Sequence, residues 1–172
     1  MRPVAALLLA LVPAAAGALE PRFDHRDQHG PSFELLLASD TVSVPGRTSH
    51  TTFAPALRVA YGVDVAGEGN ELVIGARLAW PRPDPGRARV RAALDVRYRA
   101  YFGADEWKTF LDVGLYAPLS SRLGAGPLVG LGVAYDFGRA GGLFAGASLG
   151  TAFGSARTAS IAIGAGAQLR FD

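Results

Sequence analysis

Between Val90 and Phe102 apolar and polar positions alternate without a break. Val90, Ala92, Leu94, Val96, Tyr98, Ala100 and Phe102 interleave with Arg91, Ala93, Asp95, Arg97, Arg99 and Tyr101. A period of two puts the first set on one face of a β-strand and the second on the other. The same period recurs at 32–44, 55–65, 72–80, 107–119, 127–137, 143–153 and 160–171, the first of these being the least regular. Clusters of Gly, Pro, Asn, Asp and Ser separate the segments and read as turns. There is no helical period, no repeat of about 20–50 residues and no linker that would mark a second domain. The expected fold is all-β: eight antiparallel strands joined by hairpins, an even number that lets the sheet close without a free edge.

Which face points where follows from cost. Each segment is close to the roughly 9–11 residues that a tilted strand needs to cross the hydrocarbon of a bilayer. Had Arg91, Arg97 and Arg99 faced lipid, each would cost up to about 2–4 kcal/mol near the midplane, in sum a whole domain's stability. The charged faces are therefore expected to point inward. They collect Glu34, Asp64, Asp95, Asp112 and Asp136 with Arg58, Arg77, Arg91, Arg97, Arg99, Lys108 and Arg170. Charges so nearly balanced can pair and fill an eight-stranded lumen, which predicts a plugged barrel with little steady conductance. Long arginines of the fourth strand opposite Gly164 and Gly166 of the eighth suggest a volume match. With the faces reversed, a soluble lipocalin-like barrel would show water a wall of Gly130, Gly132, Ala134, Gly146, Ser148, Gly150, Gly164 and Gly166, almost without solubilising charge.

The same parity places Phe102, Trp107, Phe137 and Phe171 on the outward face at one end and Trp80 and Phe153 at the other, the arrangement of two aromatic girdles. Phe110, Tyr116 and Phe144 fall on the inward face and read as packing.

Composition adds the compartment. Arg2, the apolar run Val4 to Val12 and the small residues Ala16-Gly17-Ala18 have the form of a secretory signal, assigned to 1–18, followed by a polar leader over 19–31 and the barrel over 32–171. No cysteine is present, so there is neither a disulfide framework nor a lipid-anchoring cysteine. A formal charge of +2 with scattered bases gives no reason to expect a nucleic-acid partner.

Together these features resemble the small bacterial outer-membrane barrels of the OmpA/OmpX type over Ser32–Phe171. The last strand carries the most specific element, Gly166-Ala167-Gln168-Leu169-Arg170-Phe171, which looks like the family's carboxy-terminal assembly signal in Gly166, Leu169 and Phe171. Ala165 in place of a usual polar residue and Asp172 after the aromatic are departures. The resemblance implies a monomer in the outer membrane of a Gram-negative bacterium, with both termini periplasmic. It also implies delivery by periplasmic chaperones and insertion by the barrel assembly machinery. It implies no activity and no cofactor, because barrels of this type serve structural, adhesive, receptor and occasional enzymatic roles.

In that orientation the outer loops are 45–54, 81–88, 120–126 and 154–159, and each contains arginine: Arg47, Arg82 and Arg87, Arg122, Arg157. Guanidinium groups suit the phosphates of lipopolysaccharide, so these arginines are candidate contacts beside the outer-membrane lipid itself. The leader's His25 and His29 have a spacing that would hold a metal on a helix, but Pro21, Gly30 and Pro31 oppose one. Ser49, His50 and Asp40 raise the alternative of a lipid A deacylase or acyltransferase, without the His-x-Ser pair that the deacylase barrels use. No catalytic or metal residue is assigned, and the expectation is a structural or interaction protein.

Overall fold

The computed structural model describes residues 27–65, 69–81, 90–103, 105–119 and 124–172. The assignments to 1–18 and 19–26 and the loop arginines Arg82, Arg87 and Arg122 lie outside them. The alternating segments form eight strands: β1 (His29–Ser43), β2 (His50–Val65), β3 (Asn70–Ala79), β4 (Arg91–Phe102), β5 (Trp107–Leu119), β6 (Gly126–Gly138), β7 (Gly141–Phe153) and β8 (Arg157–Leu169). Every strand pairs antiparallel with its sequence neighbours, and β8 returns to β1, so the sheet closes in the order β1 to β8.

The strands are staggered around the ring. From His29 the directly paired residues run Val63, Leu72, Tyr98, Val113, Val129, Leu149 and Ile161, and the path re-enters β1 at Ser39 instead of His29. With eight strands a stagger of that size corresponds to a tilt of roughly 40° to the barrel axis. Almost every side chain on the path is an outward apolar one, so the register holds the two faces of all strands in phase.

The start of β1, the end of β8 and the β2–β3, β4–β5 and β6–β7 turns lie at one end, here the terminal rim; the β1–β2, β3–β4, β5–β6 and β7–β8 connections lie at the far rim. Gly69 (φ 77°) and Gly103 (φ 120°) occupy terminal-rim turns in a backbone conformation that other residues rarely adopt.

Three boundaries differ from the alternation by three residues or more. β1 begins at His29 instead of Ser32, β2 at His50 instead of 55, and β8 at Arg157 instead of 160. At the far rim the reason is that pairing continues beyond the apolar rows. Thr41 Oγ1 and Thr51 Oγ1 are 2.9 Å apart and Ser43 Oγ and Ser49 Oγ 2.7 Å. Hydroxyl pairs extend the β1–β2 ladder where no hydrophobic pattern marks it, and the expected loop 45–54 contracts. At the terminal rim, His29 and Phe171 exchange backbone hydrogen bonds of 3.0 and 2.8 Å, which draws the end of the expected leader into the sheet.

Candidate functional site: the barrel interior and its two rims

Among the described residues the inward positions carry six buried acids, Glu34, Asp40, Glu71, Asp95, Asp112 and Asp136, and six buried bases, Arg58, Arg77, Arg97, Arg99, Lys108 and Arg170. They divide into three clusters. In the middle, Arg58 grips Asp95 through two hydrogen bonds of 3.0 and 2.6 Å and reaches Glu34 at 3.5 Å. Arg97 bridges Asp95 (2.6 Å) to Asp112 (3.3 Å), and Arg99 binds Asp112 through two more of 2.7 and 2.9 Å. Near the terminal rim, Asp136 accepts from Lys108 Nζ (2.8 Å) and Arg170 Nη1 (2.6 Å). Glu71 there lies 3.6 Å from Arg170 Nε and accepts from Gln168 Nε2 (2.8 Å) and the Tyr101 hydroxyl (3.1 Å). Toward the far rim, Arg77 donates to Asp40 (3.1 Å), Ser160 (2.9 Å) and the Tyr116 hydroxyl (2.8 Å). The clusters hold three acids with three bases, two with two, and one with one, so each is neutral in itself. Pairing and bidentate geometry are what make burial of so many charges tolerable.

Two residues expected in this network are not in it. Asp64 lies at the terminal rim, where its carboxylate accepts from the backbone N–H of Asp27 (2.8 Å) and of Gly69 (2.9 Å), fastening a turn. Arg91 lies at the far rim, where Nη2 donates to Thr52 Oγ1 at 3.1 Å. Both stand where the chain leaves the ladder, above or below the level of the opposing charges. Asp40 and Glu71, outside the expected set, are buried members of the network.

The volume match also differs from expectation. The notches made by glycine on β6–β8 receive rings. A Cβ at Gly132 or Gly146 would meet Phe110, one at Gly166 would come 2.7 Å from Phe144, and one at Gly150 would come 2.9 Å from Tyr116. The guanidinium of Arg99 lies over those rings, 4.0 Å from the centre of Phe110 and 5.3 Å from that of Phe144. Arg58 is the arginine that uses a glycine, Gly75, on the strand next to its own. Leu36, Arg77, Asp95, Arg97, Tyr116 and Ser160 border a cavity of about 10 Å³, room for about one water.

The outward face is apolar on every strand, with Leu35, Val59, Ile74, Val96, Leu115, Leu131, Leu149 and Ile163 among the exposed residues. Phe102, Trp107, Phe137 and Phe171 are exposed at the terminal rim, and Trp80 and Phe153 at the far rim. Parity missed none of the six, but it left out Phe53 at the far rim and the rings of Tyr61 and Tyr135. Tyr135 packs 4.9 Å from Trp107 and 5.6 Å from Phe137. His29, from the end of the leader, stacks on Tyr61 with a 2.6 Å contact from Nδ1 to the phenol oxygen.

In the carboxy-terminal segment Gly166 faces inward beneath Phe144, whereas Leu169 and Phe171 face outward. Arg47 and Arg157 are exposed at the far rim. Ser49 Oγ is engaged by Ser43, and the Asp40 carboxylate by Arg77, so neither is joined to His50.

No protein-family model matches the chain, and no curated relative matches its sequence. Among solved structures, Neisserial surface protein A (NspA) superposes with a TM-score of 0.65 at 14% identity, covering 82% of this chain and 97% of that one. The chain has the fold of the small outer-membrane barrels. Ail, the attachment invasion locus protein of Yersinia pestis, is also similar, with a TM-score of 0.46 at 14% identity over 85% of this chain and 99% of its own. The eight-stranded closed antiparallel architecture is thus shared with NspA, while the interior clusters are a property of this chain's own residues.

Proposed function

We propose that the protein is a monomeric, non-enzymatic integral barrel of a Gram-negative outer membrane, with a lumen closed by its own side chains and a structural or surface-interaction role. The observation that carries this reading is the division of faces: apolar rows outward from every strand, and three neutral charge clusters inward, beside a cavity with room for about one water. Even the shortest strand, β3 with ten residues, spans roughly 25 Å at a tilt of about 40°, the height of an outer-membrane apolar band. In this reading the terminal rim is periplasmic, and residues 1–18 direct export. Gly166, Leu169 and Phe171 serve recognition by the barrel assembly machinery after delivery by periplasmic chaperones; Leu169 and Phe171 point outward, where another protein reaches them.

The far rim then meets lipopolysaccharide, and the arginines Arg47, Arg82, Arg87, Arg122 and Arg157 are its phosphate contacts, supported by the exposure of Arg47 and Arg157. One preparation tests both halves of the proposal. Purified protein in planar bilayers should give no long-lived conductance steps, and large regular steps would contradict the closed lumen. Replacing all five arginines by glutamine should lower the lipopolysaccharide that co-purifies, and an unchanged amount removes that contact.

A further inference from the structure

The cavity of about 10 Å³ lies where the middle charge cluster meets the far-rim one, and its polar border comes from both: Asp95 and Arg97 on one side, Arg77, Tyr116 and Ser160 on the other, with Ser148 of β7 belonging to neither. Two of these groups have hydrogen-bonding capacity that no protein atom uses. Arg97 gives Nε to Asp95 at 2.6 Å and Nη1 to Asp112 at 3.3 Å, which leaves Nη2 over. Among the described buried side chains, the unpartnered atoms shut off from water are Gln28 Oε1 and Arg170 Nε. Nη2 of Arg97 is not one of them, so it borders space that a water can reach. Ser148 faces inward and is half-buried, and its cross-strand neighbours are Gly130 and Ala162, neither of which has a polar side chain. Its hydroxyl accordingly has no protein partner among the described residues. Across the cavity, Ser160 Oγ and the Tyr116 hydroxyl accept from Arg77 at 2.9 and 2.8 Å and still carry protons of their own.

A space of one-water size with two to four polar partners is what a buried water requires. We infer that a single water molecule resides in this cavity, accepting from Arg97 Nη2 and hydrogen-bonded to Ser148 Oγ and to the Ser160–Tyr116 hydroxyl pair, and that it joins the middle cluster to the far-rim cluster. The occupant is neutral because both adjoining clusters are already neutral, and an added ion would bear the desolvation cost of an unpaired charge. Leu36 and Leu128 close other parts of the border and offer a second water no partner. Two clusters that are each balanced in charge then respond as one unit. The inference goes beyond the closed lumen proposed above and does not depend on what either rim meets.

Crystals of the full chain grown from detergent, diffracting finely enough to resolve waters, should show one density peak within hydrogen-bonding distance of Arg97 Nη2 and Ser148 Oγ. Ser148→Val, which fills the space and removes the hydroxyl, should lack that peak while keeping the barrel. In urea unfolding, Ser148→Ala and Ser160→Ala should be coupled, because no hydrogen bond joins the two serines directly. The double variant should depart from the product of the single effects on the unfolding constant by about two-fold or more. A dry cavity, a continuous file of waters, a peak that scatters anomalously after a bromide soak, or a peak unchanged in Ser148→Val overturns the inference, as does a double variant whose effects simply multiply. Should Ser148→Val fail to fold, the density of the unsubstituted chain and the alanine pair decide between the outcomes.

Discussion

Toward the terminal rim the interior packs guanidinium groups between rings and carboxylates: Arg99 lies over Phe110 and Phe144, and Arg170, Lys108, Glu71 and Asp136 fill the space below. Toward the far rim, beyond the single Arg77–Asp40 pair, the same sheet is lined by Ala38, Ala54, Ala56, Ala79, Ala93, Ala152 and Ala162 with Leu36 and Leu128. One half is held by directed, mutually dependent contacts and the other by small apolar ones. The difference teaches that an eight-stranded lumen is filled in two ways within one molecule. Long charged side chains need glycine notches and partners at matching heights, whereas alanine needs neither.

Breaking the charged half should cost most. Asp112→Asn removes the carboxylate shared by Arg97 and Arg99, and the loss should be about 3–5 kcal/mol, read from urea unfolding followed by Trp80 and Trp107 fluorescence. A loss as small as that of a surface substitution would show that water replaces the pairing. In the other half, Leu36→Ala leaves a void beside the alanines and breaks no ion pair, and about 2 kcal/mol is expected, the low end for such a change. If both variants fall together, the contrast between halves is wrong. The smallest effect belongs to the exposed pair at the terminal rim, Arg139 with Asp172 at 3.3 Å. Arg139→Gln should change the same unfolding free energy by no more than roughly 0.5 kcal/mol.

Parity alone made the strand count, the faces and most of the network legible, because Asp95, Arg97 and Arg99 sit in an unbroken alternation. Glu71 escaped because it precedes the first apolar residue of β3, although it shares its parity with Arg77; extending the strand by one rung would have found it. Asp40 escaped because β1 loses its apolar rhythm there and continues on hydroxyl pairs. Conversely, Arg91 and Asp64 have inward parity and lie at the rims, a matter of height that depends on the stagger between strands and leaves no trace in any single strand. Which bulky group enters which glycine notch has the same origin: Gly132 and Gly146 meet Phe110 because β5, β6 and β7 align there.

The division into neutral clusters also orders assembly. The central cluster draws on β1, β2, β4 and β5, so five consecutive strands suffice to complete it. The terminal-rim cluster cannot be completed so early: Arg170, which follows β8 and pairs with both Glu71 and Asp136, is one of its two described bases. The final strand therefore brings not only the last hydrogen-bonded edge but the last compensating charge. Until the ring closes, Glu71 and Asp136 lack the guanidinium that joins them, and that joint becomes a chemical mark of a finished ring.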